Sequence, residues 1–434
     1  MAAAFDDRAR LQGMLDFEAA LARAEAEHGI LPRQSAAAIA AACDAAAYDV
    51  STLSAAAAQA GNPAIPMVEA LTAEVARHDG NAARFVHWGA TSQDAIDTGL
   101  VLQIRGAYPL LDSDLDRLER TLAKLAEEHA ATVMVGRTLL QHAVPITFGL
   151  KAAGWLSALM RVRRRLAEAI DGARVLQFGG AAGTLASLGG RGLEVAPTLA
   201  HELGLALPDL PWHGHRDRLC DVAGALALVA GALGKLARDV SLMMQSEVGE
   251  LREAGEGGKG RSSAMPQKRN PVGCSVALAA AARVPGLVAT LLAAMPQEHE
   301  RGLGGWQAEW ETIPEIFGLV AGSARAMGET CDGLEIDATR MRENLDRSQG
   351  LVMAEAVMVA LAGKIGRPEA RALIEAAVRR ARTEGGSFGA VLRDDPTIAE
   401  RIDPGDLDRL LDPECYLGNA AGFLSRVLAT RAGR

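Results

Sequence analysis

The stretch Ser262-Ser263-Ala264-Met265-Pro266-Gln267-Lys268-Arg269-Asn270-Pro271 gathers two hydroxyls, an ammonium group and a carboxamide just before an apolar, alanine-rich run. Gly255, Gly257, Gly258 and Gly260 precede it, and glycines so dense rarely settle as helix. Asn270 is a good helix N-cap and Pro271 a good first helical residue. A glycine-rich loop thus delivers donors to a helix N-terminus, a natural site for an anion. It is not a P-loop, because Gly258-Lys259 is followed by Gly260 and not by Ser or Thr.

Two other stretches carry polar groups at informative spacing. In His87-Trp88-Gly89-Ala90-Thr91-Ser92-Gln93-Asp94, Thr91 and Asp94 stand at capping-box spacing, so a helix is expected to begin there with hydroxyls beside its free N–H groups. In Gly136-Arg137-Thr138-Leu139-Leu140-Gln141-His142, a guanidinium, a carboxamide and an imidazole cluster. Small residues over 179–183 let backbone approach backbone or ligand. His213 and His215 invite a metal reading, but no carboxylate stands at matching spacing, so no metal is expected.

The elements that must position these groups read as helices. Leu11, Leu15, Ala19 and Ala22 share one face of a helix over 11–28 that ends at Gly29. Shorter helices are expected over 35–47, 50–60 and 66–78. Five long ones follow, over 109–132, 147–176, 216–252, 271–295 and 306–327. The run from Val222 to Leu233 is apolar nearly all round, so such a helix must be covered on every side. From 350 onward the helices shorten between Asp/Pro turns. The expected organisation is an N-terminal helical domain (1–93), a central long-helix bundle (94–345) and a C-terminal helical domain (346–434).

Bulk composition agrees. The chain has 434 residues, 49% of them hydrophobic but only 4% aromatic, and β-branched runs of period two are almost absent. That favours helix over sheet. A net charge of −9, with no basic tail, excludes nucleic acid as a partner. Five scattered cysteines without C-x-x-C spacing suit a reducing compartment. No stretch resembles a signal peptide or a membrane span, so a cytoplasmic protein without membrane partners is expected.

The loop resembles the signature G-S-S-x-M-P-x-K-x-N-P of the fumarase/aspartase superfamily, with Arg261 in place of its first Gly. The 87–98 stretch resembles the superfamily's H-x-G-x-T-S-x-D-x-x-D-T at every specified position, and the 136–145 stretch resembles G-R-T-H-x-Q-x-A-x-P. The resemblance implies an all-α fold of three helical domains whose long helices assemble into a tetrameric core. It implies active sites shared between subunits of a homotetramer, and β-elimination or its reverse without a cofactor. Ser262 is then the base that exchanges a proton α to a carboxylate. Lys268, Asn270 and the helix N-terminus hold the resulting aci-carboxylate, because stabilising developing charge is usually the largest catalytic term. His87, Thr91, Ser92, Gln93, Arg137, Gln141, Ser263 and Arg301 are expected to bind substrate.

Two departures narrow the reaction. Many relatives carry a His after G-R-T and a Glu five residues after the loop Asn, a pair often assigned to the leaving group. Here those positions hold Leu139 and Ser275, and His142 lies three residues beyond Leu139. An amine or hydroxide leaving group needs a general acid; a carboxylate, whose conjugate acid has a pKa of about 4, does not. The string from His299 through Arg301, Trp306 and Trp310 resembles the branch that lactonises 3-carboxy-cis,cis-muconate, a small tricarboxylate of protocatechuate catabolism. His142 is expected to donate a proton or to orient substrate. A fumarate-releasing lyase of the adenylosuccinate type and a non-catalytic helical scaffold are the rival readings.

Overall fold

The computed structural model describes residues 1–254 and 260–433. The expectations placed on Gly255, Gly257, Gly258 and Lys259 lie outside the described residues. Helices dominate, as the composition predicted. In chain order they are α1 (Asp7–Glu27), α2 (Arg33–Ala42), α3 (Val50–Ala60), α4 (Ala64–His78), α5 (Ser92–Glu128), α6 (Phe148–Ala173), α7 (Gly192–Leu203), α8 (Asp217–Met243), α9 (Val272–Ala294) and α10 (Gly305–Asp332). Then come α11 (Ala338–Asp346), α12 (Ala354–Ile365), α13 (Arg367–Glu384), α14 (Phe388–Arg393), α15 (Pro396–Ala399), α16 (Pro404–Leu411) and α17 (Ala420–Ala432).

Helix α1 begins where Asp6 accepts the Ala9 N–H at 2.8 Å and ends before Gly29, whose φ of 68° only glycine adopts without strain. Helix α5 corrects the sequence reading. Pro109, expected at a helix start, lies inside one 37-residue helix. A proline there removes one helical hydrogen bond. The buried stripe Leu100, Ile104, Ala107, Leu111, Leu115, Leu118 and Leu122 runs unbroken past it, and that packing outweighs the local penalty.

The sequence reading also lacked strands. β1 (Val133–Thr138) and β2 (Gln141–Thr147) form an antiparallel hairpin, and the two-residue β3 (Leu251–Arg252) and β4 (Glu335–Ile336) pair antiparallel. β3 and β4 are too short for a period-two pattern, and β1 and β2 lack one, since their burial does not alternate. A second correction concerns membranes: by length and composition alone, α8 and α9 are apolar enough to cross one. A helix destined for a crowded core has the same composition as a span. Of the most apolar window, 61% is buried within the molecule for α8, but only 22% for α9.

Two compact units emerge from the backbone contacts: residues 1–115, 162–231 and 279–324 form one, and 116–161, 232–278 and 325–434 the other. The division falls inside the five longest helices. In the second unit, Val357, Leu361, Ile374, Phe388, Leu392, Ile398 and Leu407 build a core among the C-terminal helices.

In the first unit the central polar feature is Arg216, only 1% exposed. Its Nη1 and Nη2 reach the two oxygens of Asp97 at 2.7 and 3.0 Å, and its Nε meets Glu309 Oε1 at 2.9 Å. The Trp212 ring lies 4.8 Å from the guanidinium carbon. Trp306 Nε1 and Gln93 Nε2 each donate to Asp97 at 3.0 Å, so neutral donors supplement one cation between two carboxylates. Arg216→Met strands both carboxylates in the interior. We expect a loss of about 3–5 kcal/mol, read as a lowered denaturant midpoint. Adding Asp97→Asn and Glu309→Gln should recover part of it; an unchanged midpoint for Arg216→Met would show that the cluster contributes nothing.

Candidate active site

In the first unit, the 87–94 segment is held by one carboxylate. Asp94, fully buried, accepts the Thr91 N–H at 3.0 Å, Gly179 N–H at 3.0 Å and Gly180 N–H at 2.9 Å, and pairs with His213 Nε2 at 2.7 Å. The expected capping spacing is thus realised, and the small-residue stretch does admit close backbone approach. A Cβ on Gly180 would sit 2.9 Å from the Gly89 carbonyl oxygen. His213 Nε2 is taken up by Asp94.

Gln93 is also fully buried. Its amide donates to Asp97 and to the His213 carbonyl (3.1 Å), and its oxygen accepts Arg301 Nε at 2.9 Å. Arg301 Nη2 donates to the Ala181 carbonyl at 3.2 Å. Gln93 therefore orients Arg301 and presents no free amide of its own. Thr91 and Ser92, half-buried, flank the start of α5. Trp306 and Trp310 stack edge-to-face with centroids 5.0 Å apart, a packing contact.

His87 takes a φ of 59°, uncommon for a residue with a Cβ. Its Nδ1 lies 2.6 Å from Oε1 of Glu18, a buried residue of α1. Desolvation pulls the imidazole pKa down, but the charge of Glu18, the hydrogen bond to it and the charge of Asp94 together hold it above the ordinary value. One heptad along α1, Glu25 is fully buried with both oxygens unpartnered; burial, aided by the charge of Glu18, pushes its pKa up to about 9.

In the second unit, the β1–β2 hairpin pairs Arg137 with His142 and Thr138 with Gln141. Leu139 and Leu140 form the two-residue turn at φ 51° and 63°, and are 96% and 79% exposed. Arg137 makes a bidentate pair with Glu250 (2.9 and 2.6 Å), which also accepts Asn344 Nδ2 at 2.8 Å. His142 is exposed on the same rung as Arg137. Partial burial, then the Arg137 charge, lowers its pKa against the opposing pull of Glu250, so it is neutral at pH 7. Gln141 is exposed beside it.

The signature loop is closed at its base: Asn270 N–H donates to the Gly260 carbonyl at 2.8 Å, and Arg261 bridges Arg269. Gly260 has φ 76°, and a Cβ on it would lie 2.6 Å from the Asn270 carbonyl oxygen. Ser262 Oγ accepts N–H groups from Ala264 (3.3 Å) and Met265 (3.1 Å). Ser263 and Lys268 are exposed and Asn270 half-buried. One expectation is corrected here. The α9 N-terminus is capped by the protein's own Glu253, whose two oxygens accept Gly273 and Cys274 N–H at 3.1 Å each. Those donors are spent on an internal carboxylate because Glu253, 6% exposed, needs them in place of water.

Sequence reasoning missed Glu18, Glu250 and Glu253. Each pairs with a partner 20 or more positions away, where no spacing rule applies. Glu25 yields a prediction with a definite sign. Its raised pKa means that the folded state keeps a proton the unfolded state loses, so its stabilising share is intact below about pH 4.5 and is lost as pH rises towards 9. Glu25→Gln should therefore raise Tm more at pH 8 than at pH 5.5; an equal change at both would contradict it.

Comparison with known proteins agrees with this architecture. A lyase family model matches residues 1–286, and a model of the adenylosuccinate lyase C-terminus matches residues 350–427. The 3-carboxy-cis,cis-muconate cycloisomerase of Pseudomonas aeruginosa is 57% identical over 429 residues, covering 99% of this chain and 94% of the relative. The nitrosuccinate lyase of Streptomyces davaonensis is 44% identical over 434 residues, covering 98% and 91%. The crystal structure of the 3-carboxy-cis,cis-muconate lactonizing enzyme from Pseudomonas putida superposes with a TM-score of 0.94 at 53% identity, covering 100% of this chain and 97% of the other. With these matches along its whole length, the chain belongs to the fumarase/aspartase superfamily.

Proposed function

We propose that the protein is a cytoplasmic cycloisomerase that converts 3-carboxy-cis,cis-muconate to 4-carboxymuconolactone. The observation that carries this is the pair Leu139 and Ser275, where the superfamily's proton-transferring His and Glu stand. Leu139 projects from the hairpin turn, and the Ser275 hydroxyl donates to the Val272 carbonyl of its own helix at 2.7 Å. Neither moves a proton, so the reaction is one whose nucleophile, or leaving group in reverse, is already a weak base.

In the forward direction one substrate carboxylate oxygen forms a C–O bond to the β carbon of a conjugated double bond. The π electrons move into the neighbouring carboxylate, giving the aci-carboxylate, and a proton then joins the α carbon to complete the lactone. Lys268 and Asn270 offer donors to the aci-carboxylate. Ser262 supplies the proton; the two N–H groups on its Oγ stabilise the alkoxide that remains. Ser263, Thr91, Ser92 and His87 bind the other carboxylates with Arg301, which Gln93 aims. Arg137 and Gln141 flank His142, which orients substrate or, in place of Ser262, donates the proton.

The chain is proposed to work as a homotetramer with sites assembled from more than one subunit. The support is α9, whose most apolar window is 22% buried within one chain. Such a surface requires cover. Light scattering should give a mass near four times 45.4 kDa; a monomer at micromolar concentration would exclude shared sites.

The test of activity is the ultraviolet absorption of 3-carboxy-cis,cis-muconate. It should disappear with the wild-type protein, and Ser262→Ala should lower kcat by about 10²–10⁴-fold with a smaller change in KM. Adenylosuccinate and nitrosuccinate run in parallel. Turnover of either without loss of the muconate band would replace this reading with a fumarate-releasing lyase; no turnover, with Ser262→Ala unaltered in every property, would indicate a scaffold.

A further inference from the structure

The positions that usually hold an imidazole–carboxylate pair are empty of both in this chain, yet the first unit contains such a pair elsewhere. Glu18 is a carboxylate on the fourth turn of α1 with a side chain 1% exposed, and Oε2 has no hydrogen-bond partner among the described residues. A carboxylate does not enter an interior unless something compensates its charge. Among the described residues the group bound to it is His87 Nδ1, at 2.6 Å, and the His87 side chain keeps 17% of its surface open. The backbone accepts a left-handed conformation at His87 to bring the ring there, at a cost of about 1–3 kcal/mol. A merely structural partner for Glu18 would not require a ring that keeps an edge open to solvent at a strained position of the substrate-binding signature.

We propose that Glu18 is a positioning residue that fixes His87 as an imidazolium, with Nδ1–H on Glu18 and Nε2–H presented to a carboxylate of the tricarboxylate substrate. This deepens the reading of the site given above and rests on it for the identity of the substrate. The surrounding groups favour the charged ring. Asp94, on α5, adds a second negative charge near it, itself occupied by His213. Glu25, on α1, stays protonated through neutral pH and does not compete for the proton. Cys43, beyond α2, is buried near Glu18, and burial holds its thiol protonated. A polyanionic substrate thus meets a cation maintained by an acid it never touches.

The sign of the pH effect follows. His87 is charged below its pKa, and Glu18 raises that pKa, so removing the carboxylate costs more substrate affinity at higher pH than at lower pH. The experiment is calorimetric titration of tricarballylate, a non-reacting tricarboxylate, into the full-length protein at pH 6 and pH 8. Glu18→Gln, which keeps the volume and an acceptor, should lose more affinity relative to wild type at pH 8 than at pH 6, each pKa unit by which the ring falls being tenfold where the pH exceeds both values. The alkaline limb of kcat/KM for the muconate should move down by a similar amount while kcat changes less.

Equal weakening at both pH values, or none, overturns the proposal. His87→Gln provides the second arm: it should bind weakly at both pH values, and a wild-type profile in this variant also overturns the proposal, whether or not Glu18→Gln folds. The two readings separate cleanly. If the muconate is not turned over but tricarballylate binding shows the pH-dependent loss, the Glu18–His87 pair stands and the substrate assignment falls. If the muconate is turned over and binding is insensitive to Glu18, the reverse holds.

Discussion

A single buried carboxylate, that of Asp94, ties together three segments far apart in the chain. It takes two N–H groups of the glycine stretch, the N–H of Thr91 and the imidazole of His213. A charge at the start of a long helix is favoured by the helix dipole, and one that is fully hydrogen-bonded can remain ionised in the interior. Because Gly179 and Gly180 must bring their backbone to its oxygens, they cannot carry side chains: a Cβ on Gly179 would lie 2.7 Å from Pro211 Cβ. Asp94 holds Thr91 directly, while Glu18 holds His87 from the other side.

The same device recurs at each cluster of candidate residues. Arg137 is locked by Glu250, His87 by Glu18 and the α9 N-terminus by Glu253. Arg301 is held by Gln93, which is held in turn by Asp97. Cations and donors suited to a polyanion are thus pre-aligned by internal acceptors. Such alignment lowers the reorganisation that binding and catalysis would otherwise require. It also means that a residue type alone misjudges availability: Gln93 and the α9 N–H groups read as free donors and are fully committed.

The helical class, most helix boundaries and the three signature segments were legible in the sequence. Apolar periodicity and dense short-range motifs carry that information within a few residues. Helix α5 escaped in part because local proline chemistry argued one way while a seven-residue buried stripe argued the other. The hairpin escaped because its strands do not alternate in burial and its turn residues are not the usual ones. The carboxylates Glu18, Glu250 and Glu253 escaped for a different reason. A lone Glu in a helix or loop looks like any solvated acid until the fold brings its partner beside it.

The turn at Leu139 and Leu140 carries a consequence for how this segment varies. Two consecutive residues with positive φ favour Asn-Gly, and each leucine there costs about 1–2 kcal/mol of backbone energy. Both side chains also stand in the open, where burial returns nothing within the chain. A turn under pressure only to close a hairpin would drift to polar, glycine-rich sequences. The segment instead behaves as a display device, in which a rigid ladder anchored through Arg137 carries side chains outward and the backbone tolerates whatever they are. Substitutions at that tip therefore alter what the hairpin displays without touching the ladder or the Arg137–Glu250 pair that anchors it.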